Sequence, residues 1–130
     1  MERALNVLGN PLVACGNDPV TGYFRDGTCR TCAEDLGGHT VCAIMTTDFL
    51  AHQRAIGNDL VTPLPEYGFP GLVPGDRWCV LAARWFQSYR AGVPAPIILA
   101  STEAHALDVV PLACLAECAA DVPDDASSLV

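Results

Sequence analysis

Two long stretches of this chain, residues 15–38 and 58–76, are rich in glycine, proline and other turn-forming residues and limit the room for regular structure. The first carries Asn-Asp-Pro, Asp-Gly and Gly-Gly turn signals, and the second carries four prolines and three glycines. Loops of this length inside a compact domain are more often functional than idle. The length of 130 residues predicts a single domain whose strands and helices are short.

Two strand–helix units are predicted around the second irregular stretch. Residues 40–45 and 78–81 are continuously apolar, which is typical of buried strands. The first strand leads into a helix with a threonine N-cap at Thr46 or the next residue and a stop at Gly57. The second leads into a helix that ends at Gly92.

The remaining apolar runs complete the predicted fold. Residues 5–8 form a short strand, residues 97–100 and 106–110 form a hairpin, and Pro111 opens a last helix that extends to about residue 120. We therefore expect an α+β domain, with a mixed sheet of four to five short strands packed with about three helices and long irregular loops.

The charge balance excludes several classes of partner. The chain has seven arginines, no lysine and 15 acidic residues, which gives a net charge of −8. The field of such a chain repels nucleic acids and anionic membranes, and no segment reaches the about 20 apolar residues that span a bilayer. The composition is typical of a GC-rich or salt-adapted source. Residues 1–120 are taken as the domain, and the acidic residues 121–130 as a disordered tail.

Seven cysteines, an odd number, and an N-terminus without signal-peptide features favour reduced thiols in a cytoplasmic protein. The spacing Cys29-x2-Cys32-x6-His39-x2-Cys42 makes Cys29, His39 and Cys42 candidate ligands and zinc the candidate cofactor. If residues 39–42 are one strand, however, His39 and Cys42 point to opposite faces. The Cys29–Cys32 pair is alternatively a redox motif.

Nucleophilic catalysis is a further interpretation of the same loop. Cys29 or Cys15 would be the thiolate, His39 the base and Asp26 or Asp35 the carboxylate that orients it. Alternatively, Asp26 belongs to a turn and His39 bonds to backbone. The proline-rich and aromatic loop at 62–72 is rigid enough to form a ligand or partner surface, or a lid that packs on the core.

Several short motifs occur in order over roughly residues 5–110. They are Asn6-Val7-Leu8-Gly9, Arg25-Asp26-Gly27-x-Cys29, His39-x-Val41-Cys42-Ala43, Gly57-Asn58-Asp59-Leu60, Phe69-Pro70-Gly71-Leu72 and Gly75-Asp76-Arg77-Trp78-Cys79. Together they resemble the domain of unknown function 2237 family of small bacterial and plant proteins, for which no activity is established. The family pattern has glycine in place of Cys32, which argues against a Cys29–Cys32 site. The resemblance implies further binding positions, which are Cys15, Arg25, Asp35, Asp59, Trp78 and Cys79.

The expected functional surface is formed by the loops 15–39 and 58–77. The leading hypothesis is a soluble, cytoplasmic, small-molecule or metal-binding protein whose site includes Cys29, His39 and Asp26. The alternatives are the thiol-dependent enzyme and a structural or partner-binding module that uses the proline-rich loop.

Overall fold

The computed structural model describes residues 4–121 and confirms the α+β class. Both predicted strand–helix units are present, and no helix in the described range is long and apolar enough to cross a membrane. The elements are β1 (Val41–Ile44), α1 (Thr47–Ala55), β2 (Arg77–Val80), α2 (Ala82–Arg90) and α3 (Leu112–Glu117), with short 3-10 helices at Pro65–Tyr67, Leu99–Ser101 and Ala104–Asp108.

The sheet of the described residues has two strands, so the expected four to five strands are not found. β1 and β2 pair antiparallel, with Cys42 opposite Cys79. Residues 5–8 make only isolated bridges. The side-chain oxygen of Asn6 accepts hydrogen bonds from two of the following backbone amides and turns the chain before a strand can extend.

The expected hairpin of residues 97–100 and 106–110 is replaced by 3-10 turns. The carboxylate of Asp121 accepts two backbone amides of the first segment, at 2.9 and 3.0 Å, and so occupies donors that a partner strand would need. The Glu103 carboxylate caps the start of the second segment. Asp121, which the sequence analysis assigned to the tail, thus contacts the domain, and residues 122–130 lie outside the described residues.

Both faces of this two-stranded sheet are buried. Cys42 and Cys79 lie on one face within a cluster of four cysteines. The other face packs on the hydrophobic core through alternate residues, which are Val41, Ala43, Trp78 and Val80. Burial on both sides explains why the two strands are continuously apolar in sequence instead of alternating.

The loop of residues 15–29 covers the cysteine face of the sheet. The amide of Cys79 donates a hydrogen bond of 2.8 Å to the buried Thr21 hydroxyl, which ties the loop to β2. Gly22 has a φ of +99°, and a side chain there would collide with the backbone oxygen of Thr28. The loop is therefore held close to the strands by its turn and by a direct hydrogen bond.

We expect Gly22→Ala to lower the free energy of unfolding by about 2–3 kcal/mol. About 1 kcal/mol is the cost of left-handed backbone for alanine, and the rest comes from displacing the backbone at Thr28. Gly57→Ala is a matched control, because its φ is +95° and nothing lies within 4 Å of the added Cβ atom. Urea unfolding compares the two variants, and equal losses would contradict a rigid loop.

Candidate functional site

Four of the seven cysteines form two disulfides, which corrects the expectation of reduced thiols. Cys15 is bonded to Cys42 and Cys29 to Cys79, with Cα–Cα distances of 5.7 and 5.4 Å. All four are at most 1% exposed. The free cysteines are partly buried and lie outside this cluster; they are Cys32, Cys114 and Cys118.

The disulfides occupy the sulfur atoms on which the predicted thiol and zinc sites depend. Cys15 and Cys29 are not thiolates in this state, so neither is available as a nucleophile. Cys29, His39 and Cys42 are not gathered as a ligand set within residues 4–121. Their two sulfurs belong to different disulfides, and the His39 ring contacts Asp35 instead.

A buried carboxylate orients His39. Asp35 Oδ1 lies 2.5 Å from His39 Nδ1, and Oδ2 accepts hydrogen bonds of 2.9 Å from the His39 amide and from the Thr31 hydroxyl. Because Nδ1 faces this carboxylate, Nε2 is the ring nitrogen that Asp35 leaves for another partner. The Asp35 side chain is fully buried, whereas that of His39 is 37% exposed. The pair thus offers one imidazole nitrogen to a ligand.

Asp26 does not orient His39. Its carboxylate accepts a hydrogen bond of 2.5 Å from Arg30 Nε, and bonds of 3.0 and 2.8 Å from the amide and hydroxyl of Thr28. Partial burial raises the pKa of the Asp26 carboxyl, but these bonds outweigh it and hold the pKa below its ordinary value. The structure therefore does not bring Asp26 together with Cys29 and His39, as was expected. Asp26 instead stabilises a turn through Thr28 and Arg30.

Arg25 is fixed over the ring of Trp78. Its guanidinium carbon lies 4.9 Å from the ring centroid, and Nη1 donates a hydrogen bond of 2.7 Å to the carbonyl of Gly22. Among residues 4–121 it is the one non-glycine residue with a positive φ, at +53°. Residues whose backbone adopts such a rare conformation are concentrated at functional sites. The guanidinium retains further N–H groups that the hydrogen bond to Gly22 does not use.

Asp59 shapes the start of the second loop. Its carboxylate accepts the Thr62 hydroxyl at 2.6 Å and the amides of Val61 and Thr62 at 2.9 and 3.1 Å. The hydrogen bond from the hydroxyl and then those from the amides lower the pKa of Asp59 to about 2. The carboxylate is therefore ionised at neutral pH.

The two loops meet in a cleft of about 320 Å³. The loop predicted as a binding surface, residues 62–72, supplies a buried Phe69, whose ring lies edge-on 5.2 Å from that of Trp78, and a well-exposed Tyr67. Asp35 acts on this cleft through His39, and the paired cysteines do not line it. Four of the positions singled out in the sequence do line it, which are Arg25, His39, Asp59 and Trp78.

Some contributors to the site are missed by the sequence analysis. Thr31 fixes Asp35, and Asn58 and Leu60 complete the lining of the cleft together with Leu64 of the predicted 62–72 loop. A single threonine in a loop carries no local signal for such a role, because its partner is set by how the loop folds. Asn58 and Leu60 flank Asp59, so the motif around that residue was the available signal.

The comparisons with known proteins give a family and no activity. No curated protein matches the chain. The family profile described as "Uncharacterized protein conserved in bacteria" matches residues 5–119, which is nearly the whole described range and includes both loops of the cleft. The resemblance carried by the sequence motifs is thereby confirmed: the chain belongs to the DUF2237 family of uncharacterised bacterial proteins.

Proposed function

We propose that the protein binds a small organic carboxylate in the cleft between the loops 15–39 and 58–77. The observation that carries this proposal is the placement of Arg25, a permanent cation that is stacked on Trp78 and anchored by one hydrogen bond. The planar guanidinium matches a carboxylate through two parallel hydrogen bonds. Because the side chain is already oriented, little conformational entropy is lost when a ligand binds.

His39 supplies a second polar contact in the same cleft. Asp35 fixes the ring through Nδ1, so Nε2 has a defined direction before any ligand arrives. A neutral ring can accept a hydrogen bond from a ligand hydroxyl or amine, and a protonated ring can add a second donor to the carboxylate. Arg25 and His39 together favour an anion, and the ionised Asp59 that also lines the cleft favours a hydrogen-bond donor elsewhere on the ligand.

The apolar part of the ligand is defined by the aromatic wall. Trp78, Phe69 and Tyr67 line the cleft, and the rings of the first two are already packed together. A volume of 320 Å³ is at the lower end of the range for small-molecule sites. These features favour an acid with one ring or a short apolar chain.

This proposal needs neither a thiolate nor a metal. Of the two alternatives, the thiol-dependent enzyme loses its named nucleophiles to the disulfides. The partner-binding module stays a prediction that rests on the exposed Tyr67, and the cytoplasmic location stays a prediction as well.

Calorimetric titration with benzoate tests the proposal, with benzamide as a neutral probe of nearly the same shape. We expect benzoate to bind more tightly, and Arg25→Gln to weaken its binding by about 10- to 100-fold, because a hydrogen bond to a charged group contributes about 1.5–3 kcal/mol. Arg90→Gln is the matched control. Its guanidinium lies 4.2 Å from the Phe86 ring on α2, and neither residue lines the cleft.

Two results would contradict the carboxylate site. One is equal affinity for benzoate and benzamide; the other is an equal effect of Arg25→Gln and Arg90→Gln. We expect Asp35→Asn to weaken benzoate binding in the same direction as His39→Gln, because Asp35 acts by positioning the imidazole.

A further inference from the structure

The cysteine cluster is a separate feature from the cleft and is built on the opposite face of the sheet from the hydrophobic core. Cys42 and Cys79 face each other across β1 and β2. Their amides point away from the partner strand, to the hydroxyls of Thr102 at 3.2 Å and Thr21 at 2.8 Å. They are therefore a non-hydrogen-bonded pair, in which the side chains of antiparallel strands come closest.

The loop brings two more sulfurs to this pair. The Sγ atoms of Cys15, Cys29 and Cys79 all lie within 4.8 Å of one another, and Cys42 is bonded to the first of these. In a tetrahedral tetrathiolate site with Zn–S bonds of about 2.3 Å, the sulfurs are about 3.8 Å apart. Once a disulfide is cleaved, its two sulfurs have to separate by about 1.8 Å to reach that spacing, and those of Cys15, Cys29 and Cys79 already lie within 4.8 Å of one another.

The donor set decides which metal fits. Four sulfur ligands suit a tetrahedral soft or borderline ion such as Zn²⁺, whereas Mg²⁺ and Ca²⁺ require oxygen ligands. All four cysteines are fully buried and no position is left for a substrate, which is typical of a structural site. We infer that the reduced form of the cluster Cys15, Cys29, Cys42 and Cys79 binds one Zn²⁺ ion.

The chemistry balances with a dithiol as the reductant. Two dithiol molecules reduce the two disulfides to four cysteine thiols and are themselves oxidised to two cyclic disulfides. Binding of Zn²⁺ to the four thiols then releases up to four protons. The same four sulfurs hold the loop 15–29 on the sheet in both states, by covalent bonds when oxidised and through the metal when reduced.

Cobalt substitution tests this inference on a variant that contains only the four cluster cysteines, Cys32→Ser/Cys114→Ser/Cys118→Ser. The protein is reduced with a dithiol, transferred without air into buffer free of reductant and titrated with Co²⁺. We expect the intense visible bands and thiolate charge-transfer absorption of tetrahedral tetrathiolate cobalt, saturating at one ion per chain, and their loss when Zn²⁺ is added. The oxidised protein should give no such spectrum.

Further replacement of Cys79 by serine in this variant should abolish the tetrathiolate spectrum. Absence of the spectrum in the reduced four-cysteine protein, including through precipitation, would overturn the inference; so would an identical spectrum after Cys79→Ser. Because the benzoate titration uses the oxidised protein and Arg25, failure of either proposal leaves the other standing.

Discussion

Loss of the Cys29–Cys79 disulfide is expected to lower the free energy of unfolding by about 4 kcal/mol, and loss of Cys15–Cys42 by about 3.5 kcal/mol. The bonds close segments whose ends are 50 and 27 residues apart, and the cross-link restricts the unfolded chain more when the segment is longer. For a small domain with an unfolding free energy of about 5–15 kcal/mol, either loss is large.

Urea unfolding of the paired alanine variants, with a chelator present, measures these losses without a contribution from metal. Both cysteines of a pair are replaced together, so that no buried thiol is left to exchange with the other disulfide. Cys114→Ala is the control, because this partly buried cysteine forms no disulfide. If a paired variant is no less stable than this control, the cross-link is not what holds the loop.

Trp85→Ala is expected to lower the free energy of unfolding by about 3–5 kcal/mol. Trp85 is the largest fully buried side chain of the described residues and its ring stacks on Tyr89 at 5.5 Å. Its indole N–H donates a hydrogen bond of 2.9 Å to the carbonyl of Ala95. Truncation therefore opens a cavity beneath α2 and leaves a buried acceptor unpaired.

The next residue along α2 provides the comparison. Phe86 is only partly buried and packs under the guanidinium of Arg90, so Phe86→Ala should have a clearly smaller effect than Trp85→Ala. Trp85→Phe keeps a ring but removes the N–H donor to Ala95, and should fall between the two. Urea unfolding followed by far-ultraviolet circular dichroism avoids dependence on the fluorescence of the replaced tryptophan. Equal losses for Trp85→Ala and Phe86→Ala would contradict the central position of Trp85.

The elements with strong local signals were predictable from the sequence. The Thr46 hydroxyl accepts the amide of Phe49 and starts α1, as its position before an apolar run indicated. The 3-10 turns that replace the expected hairpin of residues 97–100 and 106–110 were not predictable in this way. They depend on the distant Asp121, whose carboxylate accepts hydrogen bonds from two amides of the first segment.

The sequence indicated which loops form the cleft, but it did not indicate which side chains in those loops pair with each other. Arg25, His39, Asp59 and Trp78 line one cleft, and the motifs around them lie in the loops that form it. The cysteine pairing could not be deduced, because the sequence does not say which four of the seven cysteines pair, and even those four allow three connectivities. The choice depends on how the loop crosses the sheet. The partner of His39 was open for the same reason, since the two nearby aspartates differ only in where the loop places them.

The two disulfides are interleaved along the chain, because Cys29 lies between Cys15 and Cys42, and Cys42 lies between Cys29 and Cys79. A single backbone cut anywhere between residues 15 and 79 therefore leaves two fragments that are still joined covalently. The two long loops, residues 15–38 and 58–76, lie within this span, and exposed loops are where proteases cut most readily. A nick in this span would thus change the mass seen on a denaturing gel only after a reductant has separated the fragments. While the disulfides are intact, Arg25 and Trp78 remain covalently linked.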